Sequence, residues 1–449
     1  MLKEIIFVIK FIVLAIGIGS VFMSGGVFDL ANVSFYVLIA LILVDVFETR
    51  TFSLYSVWIL GFVYMILSEM LTRRFLPDYV PSARFLLGAN YLVLLAYQLT
   101  PARRFRTSFG LGESKTYNPT RFLWLLLFFY VFYLYNSQGI FTRSLYGGRQ
   151  LGDSTTGNTT LTSALVNALS TILPSLWAYY IIEIKKKKIW WAFLVSLPVF
   201  IILFVLSTRF KFLFSVLPLF MLTGILPITI TNYRKTFITY GIIGVLMIMM
   251  SAFIKENRNT SLLEMEDTTE VIVKQNDFTI GVPFSRKVGR EMSAEGVLEM
   301  TYEAQEYFKD HPHTYGLMSG FFLYFWIPRG VWPSKPTMLD SWLPRYFNPN
   351  LAGAYSSASG FTGEPRSDFG IVGALFVMLI VGFLLKRGNT MLFEIHAQEK
   401  TSLIKVFGYA LYPFVFFAVR SPITSTTTLI WEVIVLNIMH RWSVKRSMQ

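Results

Sequence analysis

Apolar runs, one after another, constrain this chain more than anything else in it. About twelve stretches of roughly 18 or more mostly apolar residues can be read, at 4–23, 30–47, 53–71, 83–100, 119–137, 161–184, 189–207, 211–230, 236–254, 369–386, 403–419 and 425–440. Each is long enough to cross a hydrocarbon core of about 30 Å as a helix, and in lipid a lone segment must satisfy its backbone groups internally. Only 15% of residues are charged and 54% are hydrophobic, whereas a soluble domain carries about a quarter charged residues. The expected fold is therefore an all-α polytopic membrane protein with about 12 transmembrane helices. The first run lacks a small-residue cleavage site and is closely followed by a second, so it reads as a span and not as a signal peptide.

The pattern breaks once. Residues 1–254 read as transmembrane helices 1–9, residues 255–368 as one large loop, and residues 369–449 as transmembrane helices 10–12 with a short tail. Lys and Arg accumulate in cytoplasmic connections. Placing both termini in the cytoplasm puts Arg103, Arg104, Arg106, Lys185–Lys188, Arg234, Lys235, Lys386, Arg387 and Arg441 on the inner side, although Arg73, Arg74 and Arg84 then lie outside. The loop holds 15 of the 27 acidic residues and reads as the acidic, non-cytoplasmic part. The net charge of +13 thus follows from topology and gives no reason to expect nucleic acid as a partner. The chain has no cysteine, which excludes disulfides and thiolate chemistry.

Within the loop, 289–309 alternates apolar residues with Glu291, Glu295, Glu299, Glu303 and Glu306, as an amphipathic helix does. Residues 314–326 are apolar but too short to span, and read as a re-entrant or interfacial helix. A proline-rich stretch follows, Ile327-Pro-Arg-Gly-Val-Trp-Pro-Ser-Lys-Pro336, which cannot be regular helix. A short strand is expected at Glu270–Lys274, and a flexible polar loop at 138–160.

No cofactor is expected: there is no metal-ligand spacing, no phosphate loop and no GxSxG elbow. His313 reads as a helix-terminating residue or, less simply, as a base. Arginines at the outer border stand out instead. Arg209 sits in the short connection Leu206–Phe212 beside Lys211, Arg420 lies between the last two runs, and Arg143 and Arg149 lie in the 138–160 segment. An ionisable group at such a border is either a functional candidate or an interfacial snorkel. In the loop, Arg329, Lys335, Arg345 and Arg366 sit among Pro, Trp and Gly. Guanidinium forks match phosphate oxygens, so several converging would suit a diphosphate; each could equally be a structural ion pair. Glu364 and Asp368, in Gly363-Glu-Pro-Arg-Ser-Asp-Phe-Gly370, are the carboxylates placed to act as a base, to orient an arginine, or to cap the helix that follows.

This layout, with the Pro-Arg-x-x-Trp-Pro-x-Lys-Pro stretch, the Gly-Glu before an aromatic-Gly pair, and the Ser-Thr-Arg at 207–209, resembles the bacterial O-antigen and capsular repeat-unit polymerases, the Wzy family. Here Pro365 and Arg366 follow the Gly-Glu where that family often has an aromatic residue. The resemblance implies a C-type glycosyltransferase-like, metal-independent enzyme of the bacterial inner membrane, with the large loop in the periplasm. Its substrates would be undecaprenyl-diphosphate-linked glycans in membrane lipid, with a polysaccharide chain-length regulator as a partner. Glu364, Arg209 and Arg329 would be catalytic, and Arg143, Arg149, Lys211, Lys335, Arg345, Arg366 and Arg420 would hold diphosphate. The alternatives are an O-antigen ligase using the same donor, and a lipid-linked oligosaccharide transporter or flippase.

Overall fold

The apolar runs are helical over most of their described length, the main exception being the end of the 211–230 run after Leu222. The computed structural model describes residues 2–23, 25–72, 77–101, 117–147, 161–205, 209–226, 297–324, 360–397, 403–420 and 426–444, with scattered positions in 229–242 and 327–346. Among these residues the helices are α1 (Leu2–Met23), α2 (Val27–Thr49), α3 (Leu54–Phe62), α4 (Val80–Leu99), α5 (Pro119–Gly147), α6 (Leu161–Tyr179), α7 (Trp190–Val205), α8 (Arg209–Leu222), α9 (Val297–Asp310), α10 (Gly360–Ala397), α11 (Ile404–Ala418) and α12 (Thr426–Ser443). A π turn, Val63–Leu67, carries α3 on into a last helical turn, Ser68–Thr72. Strand pairing among the described residues is limited to two isolated bridges, Thr51 with Thr229 and Tyr117 with Val444.

Among the described residues five helices are long and apolar enough to cross a membrane: Glu4–Met23, Val27–Thr49, Leu54–Leu71, Pro77–Leu99 and Gly360–Ile395. Their large apolar side chains point outward as well as inward. Phe7, Phe11 and Ile16 of α1, and Val372, Phe376 and Leu384 of α10, are exposed, a surface that water would not tolerate on this scale. The molecule is an all-α membrane protein.

Among the described residues, beside a small cluster of Met300, Ala304, Leu339 and Leu343, two large apolar clusters organise the interior. One joins α1 to α4 with α10 and most of α11; the other joins α5, α6, α7 and α12 with the start of α11. Without a hydrophobic drive between helices in lipid, close backbone approach through small residues does much of the fastening. Gly61 provides it between α3 and α11, since a Cβ there would sit 2.2 Å from the Phe416 carbonyl oxygen. The second cluster is closed by α12: Tyr117 Oη bonds His440 Nδ1 at 3.0 Å, and the Asn118 amide donates to the Ser443 carbonyl at 2.7 Å.

Helix directions define two ends. The start of α4 lies against the start of α10 (Phe85 beside Arg366), and their later parts meet at Tyr97 and Asn389. The Gly360 amide donates to the Arg420 carbonyl at the end of α11. Thus the ends of α3 and α11, the starts of α4 and α10, α9 and the 311–346 segment occupy one end. The same end receives the last turns of α5, because Tyr117 at its start is fixed at the other. It also receives the start of α8, because Phe220 near its finish packs on Phe193 near the start of α7 and Ile230 bonds the Arg50 carbonyl.

Four expectations change here. Residues 138–147, expected as the start of a flexible polar loop, are helical and form the last turns of α5. Gly360–Phe369 is helical, where it reads in sequence as the last part of the loop. Its one internal proline, Pro365, forfeits the bond to the Phe361 carbonyl. The turn to the long apolar helix comes at Gly370, whose φ of 69° and ψ of −165° suit glycine alone. The apolar stretch 314–326 is turns at 315–320 and a single helical turn, Phe321–Tyr324, not a re-entrant helix. Arg209 is the first residue of α8 and not part of an irregular connection.

Candidate functional site

The Gly360–Phe369 helix presents two different faces. Glu364 and Asp368, four residues apart, lie on one side. Asp368 accepts from the amides of Met318 (2.9 Å) and Ser319 (2.6 Å) and from the Thr314 hydroxyl. Backbone bonds run beside these, from Thr314 N to the Ser367 carbonyl and from Tyr315 N to that of Asp368. The expected N-cap role of Asp368 toward the following helix is therefore replaced: its carboxylate caps the facing 314–320 turn. Glu364 is completely buried, at 0% exposure. Burial, then the charges of Asp368 and Glu364, pushes the Tyr324 phenol up to about 12.

Arg366 points away from both carboxylates. Its guanidinium lies 4.4 Å from the Phe85 ring centre and donates to Gln305 Oε1 at 3.0 Å and toward the Thr301 carbonyl at 3.5 Å. Ser82 also donates to Gln305 Oε1. At 6% exposure, Arg366 fastens α10 to α4 and α9. A phosphate could reach it only after α9 had moved. Glu69 takes the Leu298 amide in the first turn of α9, where a carboxylate meets the positive end of the helix dipole.

Around this packed core stand the loop's remaining groups. His313 Nδ1 lies 3.1 Å from the Ser367 carbonyl; a carbonyl only accepts, so that nitrogen carries a hydrogen and Nε2 faces Gly370. Lys335 is buried and donates to the Ile327 carbonyl at 3.1 Å, fastening the proline-rich turn, while Trp332 packs on Tyr324. On α9, Tyr302 stacks on Tyr79 at 4.4 Å, and burial with the charge of Glu299 raises the neighbouring Glu303 carboxyl to about 7.

Of the sequence-derived candidates, Glu364, Arg366, Lys335 and Arg420 are described with their side chains, and the fold brings them to this same end. Arg143 lies in the last turns of α5, and Arg209 and Lys211 in the first turn of α8; only their backbones are described, also at this end. Arg149, Arg329 and Arg345, the strand expected at 270–274 and most of the 138–160 segment's polar part lie outside the described residues. Among the described residues no three His, Asp or Glu side chains stand close enough to hold a metal ion.

A second polar centre lies at the other end. Lys10, 4% exposed, donates to Asp45 Oδ1 at 2.8 Å and to Glu48 Oε2 at 2.5 Å. Asp45 Oδ2 takes the hydroxyls of Ser53 and Ser56. Lys386 lies 4.5 Å over the Tyr97 ring, and Asn389 joins Tyr97 to the Leu54 amide. Lys10 and Asp45 stand out in sequence as charges in apolar runs, but nothing local pairs residues 35 apart. No protein family, curated protein or solved structure matches this chain.

Proposed function

We propose that the protein polymerises undecaprenyl-diphosphate-linked oligosaccharide repeat units into O-antigen or capsular polysaccharide on the periplasmic face of the bacterial inner membrane, as a twelve-span enzyme. The terminal hydroxyl of one repeat unit attacks the anomeric carbon of the glycan on the second lipid. The bond from that carbon to diphosphate oxygen breaks, and undecaprenyl diphosphate departs with the negative charge. Arginines at the membrane border stabilise that growing charge, and a carboxylate receives the hydroxyl proton.

One observation carries the reading. Helix directions gather Arg143, Arg209, Lys211 and Arg420 at the end where α9 packs on the start of α10 and Glu364 is buried. These four residues and Glu364 thus share one end although they are scattered over some 280 positions. Complementation tests it. A strain lacking its polymerase should regain long polymer with this chain, and Arg209→Ala, Arg329→Ala and Glu364→Gln should leave single repeat units on the lipid. Full-length polymer from all three variants would reject the site. Polymer accumulating on undecaprenyl diphosphate, with lost transfer to lipid A, would assign the ligase reaction.

Transport of the lipid-linked glycan is the second reading, favoured by the buried Lys10–Asp45 pair, since charges inside the membrane commonly mark ion pathways. Rescue of a flippase-deficient strain, abolished by Asp45→Asn, would select it.

A further inference from the structure

Glu432 is a carboxyl that neither reading uses. It lies on α12, facing α6, and is 2% exposed. Its Oε1 is 2.5 Å from the Thr171 hydroxyl, and its Oε2 meets no hydrogen-bond partner among the described residues. The helices packed against α12 are α6, α5 and α11. Residues 122–136 of α5, 161–182 around α6 and 406–419 of α11 contain no Lys, Arg, His, Asp or Glu. Their titratable groups are phenols, Tyr130, Tyr133 and Tyr135 on α5, Tyr179 and Tyr180 at the end of α6, and Tyr409 and Tyr412 on α11. On α12 itself the nearest charges are His440 and Arg441, two turns on.

Hydrogen counting decides the form. The Thr171 hydroxyl has one hydrogen and two oxygens in reach, the Ala168 carbonyl at 2.7 Å and Glu432 Oε1 at 2.5 Å. If it donates to an ionised Glu432, the close approach to Ala168 has no hydrogen in it, and a buried negative charge is left with one hydrogen bond and no counter-ion. An isolated buried carboxylate is so costly that the group neutralises instead. If the carboxyl keeps its own hydrogen, it donates to Thr171 and Thr171 donates to Ala168, so both contacts are hydrogen bonds.

We propose that Glu432 is a proton-binding site within the membrane, occupied in the resting protein and joining α6 to α12 through an acid O–H. The inference stands independently of what the protein transfers.

The probe is N,N′-dicyclohexylcarbodiimide, an apolar reagent that reacts with carboxylic acids inside membranes. The acid hydrogen passes to one carbodiimide nitrogen and the carboxylate oxygen bonds to the central carbon. An oxygen-to-nitrogen acyl shift then gives a stable N-acylurea, so the whole reagent is added and nothing leaves. The full chain in lipid vesicles at neutral pH, digested and read by mass spectrometry, should carry the adduct on Glu432. Glu432→Gln should lose it and Thr171→Val should retain it. Asp45 is an internal control, because its oxygens already hold an ammonium and two hydroxyls, and it should stay unlabelled. A charged, water-soluble carbodiimide should leave Glu432 unmodified. An unlabelled Glu432, labelling of Asp45 in its place, or equal labelling by the water-soluble reagent would each overturn the proposal.

Discussion

Removing the ammonium of Lys10 is the sharpest test of how the membrane interior is held together. The Lys10–Asp45 contact at 2.8 Å, with both side chains at most 5% exposed, has a gross attraction of about 6 kcal/mol at an effective dielectric of ~20. Most of that is offset by the desolvation of both charges, so the pair as a whole contributes little. Breaking it from one side is another matter. In Lys10→Met, Asp45 keeps only the two serine hydroxyls, and the uncompensated charge should cost about 3–5 kcal/mol. Glu48 adds little to this, because its side chain is 29% exposed and can turn to water. Lys10→Met with Asp45→Asn removes both charges and still leaves the serines an acceptor, so it should be less damaging than Lys10→Met alone. Unfolding in mixed micelles titrated with dodecyl sulfate, followed by tryptophan fluorescence, measures each variant, and the double-mutant cycle isolates the coupling. A Lys10→Met loss below about 1 kcal/mol, or a double variant as unstable as the sum of the singles, would refute the argument.

Gly61→Ala should destabilise by at least about 2–3 kcal/mol, because its methyl must displace the backbone at Phe416. Gly88→Ala, with open space around its Cβ, serves as the matched control in the same titration. Asp368→Asn keeps an acceptor but removes the charge, so hydrogen exchange at Met318 and Ser319 should quicken by the equivalent of about 1–3 kcal/mol; unchanged exchange would show that the turn holds without its cap. Glu303 ionises at about 7 when folded against 4.5 as the ordinary value, so the folded state holds the extra proton between those values. Its contribution to stability is complete below about 4.5 and is lost as pH rises through 7. Melting temperature against pH should fall across that interval, and Glu303→Gln should flatten the fall.

What could be read in the sequence was whatever repeats along a single helix. The apolar runs give the helices, and the Glu299–Glu303–Glu306 spacing gives the amphipathic α9. The Gly360–Phe369 helix was hidden because Gly, Pro and Ser weigh toward irregular structure locally, while its stability comes from outside. Arg366 reaches α4 and α9, and Asp368 holds the 314–320 turn. Arg366 and Asp368 each have a donor or acceptor set that suits a ligand, and in both cases the fold uses that set on its own side chains and backbone. Composition alone cannot separate those uses. The Lys10–Asp45 and Thr171–Glu432 contacts, 35 and 261 residues apart, carry no periodic signal at all.

The clasp between Tyr117 and His440 has a consequence for assembly. Its two sides are 323 residues apart in the chain, so α5, α6 and α7 leave the ribosome long before α12 exists to close their cluster. Until then Thr171 and the apolar face around it must rest against lipid or an insertion factor. Truncation just before α12 should therefore spare the packing of α1 to α4 and undo the other half, making the arrival of α12 the step that commits the bundle to its native form.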